Sequence, residues 1–395
     1  MKIKLLLLIC SCVVACFFGA CKTTQDNSSS SFHSVEVKSR ASKQQLADFF
    51  SLEGYTTLES NALHEIRGIE DVVYSGDQLF VLDNATDFQN IWSFSLTGNY
   101  TGSIGHYSET QVEGYGGLND ICLSNMGDEI IGLDAGKLSF KRYGLQGDLR
   151  SILPNGMYGE NVELLRSGNY VVYNEYGASD ISKRFHLVFY DEKGNLTKRL
   201  VPYDEKFEGM AYEFTGFLSR SSGSLWFSPP FNDTIYTVSE KGITPEYYFD
   251  FGSLSIPSHL REDKIDGWDV DNFAYIMSSF VKLGNLSIFE YYAEQRLNFG
   301  LYDDKTGLFL RFDDAKRDEY SELLRVGKIY PKDNQSFALV LDTKRIKYLT
   351  QKGIINFEYF KANHPRFLED LHAAASKERA FMVLHLSVKP GASVE

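Results

Sequence analysis

Past residue 21 the sequence holds a single cysteine, Cys122. One thiol cannot close an internal disulfide, and it cannot build a multi-cysteine zinc site. Cys122 lies in "NDICLSN" on an alternating apolar pattern, which predicts a buried structural thiol rather than a nucleophile. The eight histidines (His33, His64, His106, His186, His259, His364, His372 and His385) include no His-x-His and no His-Glu-x-x-His. His364 and His372 are eight residues apart, too far for one ion on one helix face. No metal site and no cofactor is therefore expected. There is no Gly-x-Ser-x-Gly elbow and no glycine-rich phosphate loop before a helix. Positive charge is scarce: 40 Lys and Arg stand against 53 Asp and Glu, for a net −13. The basic residues are dispersed, so nucleic acid is not an expected partner. "DGWDVDN" (Asp266 to Asn272) has acidic spacing but lacks the glycine and distal Glu of a calcium loop. With so many carboxylates, choosing a catalytic pair by eye would be arbitrary, so no catalytic residue is assigned.

No apolar run long enough to span a bilayer follows the first twenty residues. The start is different. Lys2 and Lys4 precede an apolar run from Leu5 to Phe18, and Gly19-Ala20-Cys21 follows. This resembles the signal and lipobox of bacterial lipoproteins, with Phe18 where that family usually carries Leu. The resemblance implies cleavage after residue 20 and lipidation of Cys21. Cys10, Cys12 and Cys16 would leave with the signal. Without Lys2 and Lys4 the formal charge becomes about −15. A polar stretch, "KTTQDNSSSS", comes next and reads as a flexible tether, with the segment placed at 21–40 and the folded domain at 41–395. The expected location is the cell envelope, with the lipid as the only membrane contact and a monomeric chain.

What is abundant is aromatic residues and turn glycines. The 24 Tyr and 29 Phe favour strands. Glycine marks turns between apolar strands at 98, 147, 194, 242, 307 and 353. The intervals are 49, 47, 48, 65 and 46 residues. Each turn has an earlier companion, at Gly76, Gly127, Gly168, Gly223, Gly284 and Asp333-Asn334. Gly, Asn and Asp are what tight hairpin turns require. Each unit therefore reads as strand, turn, strand, link, strand, turn, strand. Four antiparallel strands in roughly 45 residues make a propeller blade, and six units predict an all-β, six-bladed β-propeller. The long interval predicts an insertion at about 253–272, partly helical, between blades four and five. A helix is predicted from about Pro365 to Lys377, and a final strand from Phe381 to Val388. That strand, or "GYTTLES" (Gly54 to Ser60), should complete the last blade and remove a free edge.

Three stretches then identify a family: "GYTTLES", "IRGIEDVVYSGDQLFVLDN", and "NDTIYTVSEKGITPEYYFDFG" followed by "IP". They resemble the six-bladed, NHL-like β-propeller lipoproteins of Bacteroidetes, a family of the domain-of-unknown-function type. The resemblance runs from Ala47 to Ser387. It supplies no catalytic residues. Many relatives carry a Gly-Pro-rich loop after the first blade, where this chain has "GHYSETQVEGYGG".

Trp92 and Trp226 fall on blade strands and read as core. Trp268, with Tyr275 nearby, lies in the insertion and is the candidate platform for a sugar ring or peptide. Two functions are open. The first is a binding or scaffold module for an envelope protein, peptide or glycan. The second is a hydrolase or lyase acting on a saccharide or peptide at the mouth of the central tunnel. The fold alone does not choose. Carboxylates converging on a deep axial pocket would favour chemistry, and a shallow aromatic face near Trp268 would favour binding.

Overall fold

The computed structural model describes residues 32–38, 42–60, 65–85, 88–176, 184–203, 205, 217–257, 272–277, 280–351 and 357–395. Two early strands, β1 (His33–Glu36) and β2 (Phe50–Thr57), pair with blades that form much later in the chain. Blade one is β3 (Ile69–Ser75), β4 (Gln78–Ala85), β5 (Phe88–Ser95) and β6 (Tyr100–Ile104). Blade two is β7 (Leu118–Leu123), β8 (Glu129–Asp134), β9 (Ser139–Gly144) and β10 (Leu149–Pro154). Blade three is β11 (Asn161–Leu164), β12 (Tyr170–Tyr173), β13 (Phe185–Tyr190) and β14 (Leu196–Pro202). Blade four is β15 (Leu218–Ser221), β16 (Ser224–Phe227), β17 (Thr234–Ser239) and β18 (Gly242–Asp250). A short β19 (Tyr275–Ile276) precedes blade five, which is β20 (Val281–Leu283), β21 (Leu286–Ala293), β22 (Arg296–Asp303) and β23 (Leu308–Arg311). Blade six is β24 (Lys328–Pro331), β25 (Ser336–Asp342) and β26 (Phe381–Val388), with β2 as its outer strand. The chain is a six-bladed β-propeller.

Period-2 alternation explains how the ring holds together. Successive residues of a strand face opposite sides of its sheet. On β4, Leu79 and Val81 pack toward blade six, while Phe80 and Leu82 pack toward blade two. Both faces are buried, so the strand reads as a continuous apolar run. The same division gives one apolar wedge between each pair of neighbouring blades. Trp92 and Trp226 lie in these wedges. A second device repeats at the end of the second strand. Asp83 accepts hydrogen bonds from the backbone N–H groups of Arg67 (2.9 Å) and Gly68 (2.8 Å). Asp134 does the same for Gly116 and Gly117, at 3.1 Å each. Each carboxylate ties down the link that enters the innermost strand of its blade. Turn glycines are also used for close approach: Gly98 has φ +91°, and a Cβ there would collide with the Thr57 carbonyl oxygen.

Both expected closing strands are used. Phe381–Val388 is the third strand of blade six, and Phe50–Thr57 pairs with it from Phe50↔Val388 to Thr57↔Met382. His33–Glu36 lies within the segment read as a tether. It instead adds to blade four in parallel, Val35 opposite Phe249. Residues 33–395 form one compact unit.

The sixth later hairpin is a correction. "RIKYLTQKGIINFEY" was expected to turn at Gly353 between two strands. Residues Thr343–Gln351 are instead helix α2, followed by α3 (Phe357–Asn363) and α4 (Pro365–Ala375). Helix α1 (Glu319–Val326), N-capped by Asp318, precedes them between blades five and six. Ile346 and Leu349 are buried three residues apart, which is helical spacing, and the 46-residue interval was a coincidence. Gly353 itself lies outside the described residues, as do the signal, Cys21, residues 22–31 and Trp268. Among the described residues, no helix is long and apolar enough to cross a membrane.

Candidate functional site: an axial cavity with a carboxyl pair

Six innermost strands surround the propeller axis, and between them lies a cavity of about 1110 Å³. Each innermost strand starts at one face of the disc and turns back at the other. The two ends therefore differ. The strand-start end carries Glu70, Glu160, Glu175, Glu290 and Lys328. The turn end carries Arg166, Lys332 and Asp333. Among the described residues, eight carboxyl side chains and four cationic ones line the cavity.

Some of these charges are matched. Glu163 on β11 accepts from Arg220 Nε on β15 at 3.0 Å. Burial pushes the Glu163 carboxyl up, and Arg220 opposes this. Lys328 Nζ lies 3.6 Å from Glu70. Glu160 accepts from Asn119 Nδ2 at 3.3 Å, and burial again raises its carboxyl.

Asp71 and Asp120 are not matched by a cation. They occupy corresponding places on β3 and β7, each just after a register shift, opposite Leu82 and Leu133. Asp71 accepts from its neighbour Val72 N–H at 2.7 Å. Asp120 accepts from Val162 N–H, on the next blade, at 2.7 Å. Both carboxyls line the same cavity wall, on the innermost strands of neighbouring blades. Burial pushes Asp71 up to about 7, helped by the charges of Glu163 and Glu70. Burial and the Asp71 charge raise Asp120 strongly. Burial and neighbouring like charge thus both disfavour the ionised form of these carboxyls.

Tyrosines add to the same wall. Tyr330 lines the cavity and donates to the Glu70 carbonyl at 2.8 Å. Tyr173 also lines it, at the strand-start end opposite Asn161, with its ring packed against His186, Phe217 and Phe227; among the described residues its buried hydroxyl has no hydrogen-bond partner. Cys122 is buried against the cavity, and burial pushes its thiol up, as expected of a structural thiol. No histidine lines the cavity among the described residues. His186 is packed among Tyr173, Tyr176 and Tyr203, and burial lowers it to about 4. His385 is held by Thr56 Oγ1 at 2.9 Å and lowered to about 4, chiefly by burial. The described residues contain no group of three or more His, Cys, Asp or Glu able to hold a metal ion.

Of the two aromatic candidates of the insertion, Trp268 lies outside the described residues and Tyr275 does not line this cavity. Tyr275 is 5% exposed, packed on Phe231 and stacked on Tyr292. It presents no open ring face, because β19 folds it back against blade five. Sequence reasoning missed Asp71 and Asp120. One signal was present: "IEDVV" and "LNDIC" both read apolar-x-Asp-apolar-apolar at the start of an innermost strand.

These blades and this axis define a class, the six-bladed β-propeller with a polar axial cavity. The family described as "Domain of unknown function (DUF4934)" matches residues 32–367, and the chain belongs to it. Among solved structures, a Bacteroides fragilis protein described as exported aligns over 90% of this chain and 99% of its own. Its TM-score is 0.71 at 17% identity, a likeness of fold. A member of the duf4221 family from Bacteroides vulgatus aligns over 86% of this chain and 98% of its own, with TM-score 0.48 and 8% identity. No functionally curated protein matches the chain.

Proposed function

We propose that this protein is a lipid-anchored binding module of the cell envelope that takes a small polar ligand, a saccharide or peptide fragment, into its axial cavity. The observation that carries this reading is the cavity itself. Its volume of about 1110 Å³ suits a ligand of a few rings or residues. Its wall mixes carboxyls, cations, amides and tyrosines, which give oriented hydrogen bonds. A pure scaffold would need no such interior. The envelope location is supported by Gly19-Ala20-Cys21 after an apolar run, and by the fold shared with an exported Bacteroides protein.

Two outcomes are expected. The Phe32–Glu395 form, incubated with envelope extract and washed, releases a small polar ligand on denaturation. Mass spectrometry that finds only proteins would move the function from cavity to surface. Cys21→Ala shifts the protein from the membrane fraction to the soluble fraction. Unchanged fractionation would defeat the anchor.

A second reading, hydrolase or lyase, is favoured by Asp71 and Asp120, two buried cavity carboxyls that burial pushes up, since carboxyls of unequal protonation can act as acid and base. Turnover of the captured ligand by the wild-type chain would distinguish it from binding alone.

A further inference from the structure

We propose that a cleft between blades six and one binds an oxyanion, the phosphate or sulfate ester of a small soluble ligand. The cleft has a volume of about 360 Å³ and shares only Lys328 with the axial cavity. The proposal therefore goes beyond the reading of that cavity and does not depend on it.

Separate parts of the chain bring cations to one place. Arg67 lies in the link that enters blade one, and Lys328 begins β24. Lys344 and Arg345 open helix α2, and Arg379 stands just before β26. Among the described residues these five cations line the cleft against two carboxylates, Asp342 and Glu378. The surplus is local, because the chain as a whole carries a formal charge of −13. Under this rim the floor is apolar. Ile69, Val340 and Phe381 belong to the wedge between the two blades. Such a floor lowers the local dielectric and strengthens the pull on an entering anion.

The protein's own carboxylates do not use up this charge. Glu65 serves two guanidinium groups, Arg67 at 3.1 Å and Arg379. Asp342 is spent on α2: it accepts from the Arg345 N–H at 2.8 Å and from the Arg345 guanidinium. Lys328 stands 3.6 Å from Glu70. Lys344 makes no ion pair among the described residues. Helix α2 adds a second kind of observation. The first turn of a helix favours acidic side chains, because its free N–H groups make that end positive. Helix α2 has no acid in its first turn and carries Lys344 and Arg345 there. These cations work against the helix dipole, and a bound anion would relieve both. The guanidinium fork offers paired N–H donors that match two oxygens of a phosphate or sulfate ester. The volume suits a small ligand that carries such a group.

The experiment titrates the full chain by calorimetry with glucose 6-phosphate, glucose 6-sulfate and glucose, in a low-salt buffer free of phosphate. Both esters are expected to bind, and glucose at least about tenfold more weakly. Raising sodium chloride from about 20 to about 200 mM should weaken the esters several-fold, since these cations lie at the surface. Lys344→Gln with Arg379→Gln should weaken glucose 6-phosphate at least about tenfold with the melting temperature little changed. Lys344→Gln alone breaks no ion pair and should still weaken it about threefold. Lys193→Gln removes the same kind of charge from the β13–β14 turn of blade three and should leave binding unchanged. Equal binding of glucose, an equal loss in Lys193→Gln, or no ester binding at about 10 mM would each overturn the proposal. So would co-sedimentation of the Cys21→Ala chain with phosphatidylglycerol vesicles while neither ester binds, which would assign the cleft to a lipid headgroup. None of these results bears on the axial cavity, which the envelope-capture experiment tests.

Discussion

A chain that starts at Glu59, and so lacks β2, is expected to lose cooperative folding. This strand is the outer edge of blade six and pairs along its whole length with the C-terminal β26. Phe50 is fully buried and meets Phe337 edge to face, with ring centroids 5.5 Å apart. Leu52 and the adjoining Phe49 fill the same wedge, where α2 and α4 also rest. Losing one such phenylalanine costs about 3–5 kcal/mol. Losing all three, with seven residues of pairing, exceeds the roughly 5–15 kcal/mol that holds a typical domain folded. The loss also exposes β26 as a long apolar edge, a template for aggregation. Circular dichroism melts and size-exclusion chromatography are the measurements. A sharp melt at the wild-type temperature would show that closure by β2 is dispensable. Phe50→Ala alone should remain folded but lose about 3–5 kcal/mol in denaturant titration.

Lys141→Met is expected to cost about 3–5 kcal/mol, the usual result of removing one partner from a buried ion pair. The Lys141 side chain is fully buried, 3.4 Å from an equally buried Asp134. Its ammonium also donates to the carbonyls of Val112 (2.7 Å) and Gly114. Burial lowers the Lys141 ammonium, and Asp134 opposes that shift. The adjoining Lys137 donates to the carbonyls of Ser108 (2.6 Å) and Gly114 (2.7 Å), and to that of Gln111. Two ammonium groups thus satisfy carbonyls of the "GHYSETQVEGYGG" loop. Methionine fills the space but leaves Asp134 and the two carbonyls without that donor. By comparison, Asp148→Asn, which removes the exposed Arg150–Asp148 pair, should change stability far less. Urea denaturation of both variants is the check. A Lys141→Met cost as small as the surface value would mean that water replaces the ammonium at no loss.

The axial site was far less legible than the ring. Every unit writes its hairpins locally, because turn chemistry and strand alternation are properties of neighbouring residues. Eleven of the twelve expected turns fall between paired strands as read, from Gly76 to Asp333-Asn334. The failure at Gly353 is instructive. The interval fitted the period, but the buried Ile346 and Leu349 have helical spacing, so the helix prevailed and the third strand came from Phe381. Tyr275 failed as a binding platform for a related reason. An aromatic residue in an insertion can be exposed or folded back, and only packing against Phe231 and Tyr292 decides.

The sequence by itself determined the class: six antiparallel units, the final strand, the C-terminal helix, and the buried state of Cys122, Trp92 and Trp226. These follow from short-range patterns that each blade repeats. Only the tertiary structure decided which chain ends close the ring and which carboxyls meet. Asp71 and Asp120 are 49 residues apart and alike in pattern to many other acids in the chain. They become a pair because closing the ring brings the innermost strands of successive blades side by side around one axis. The upward shift of both carboxyls follows from burial and from neighbouring charge, neither of which is a local property of the chain.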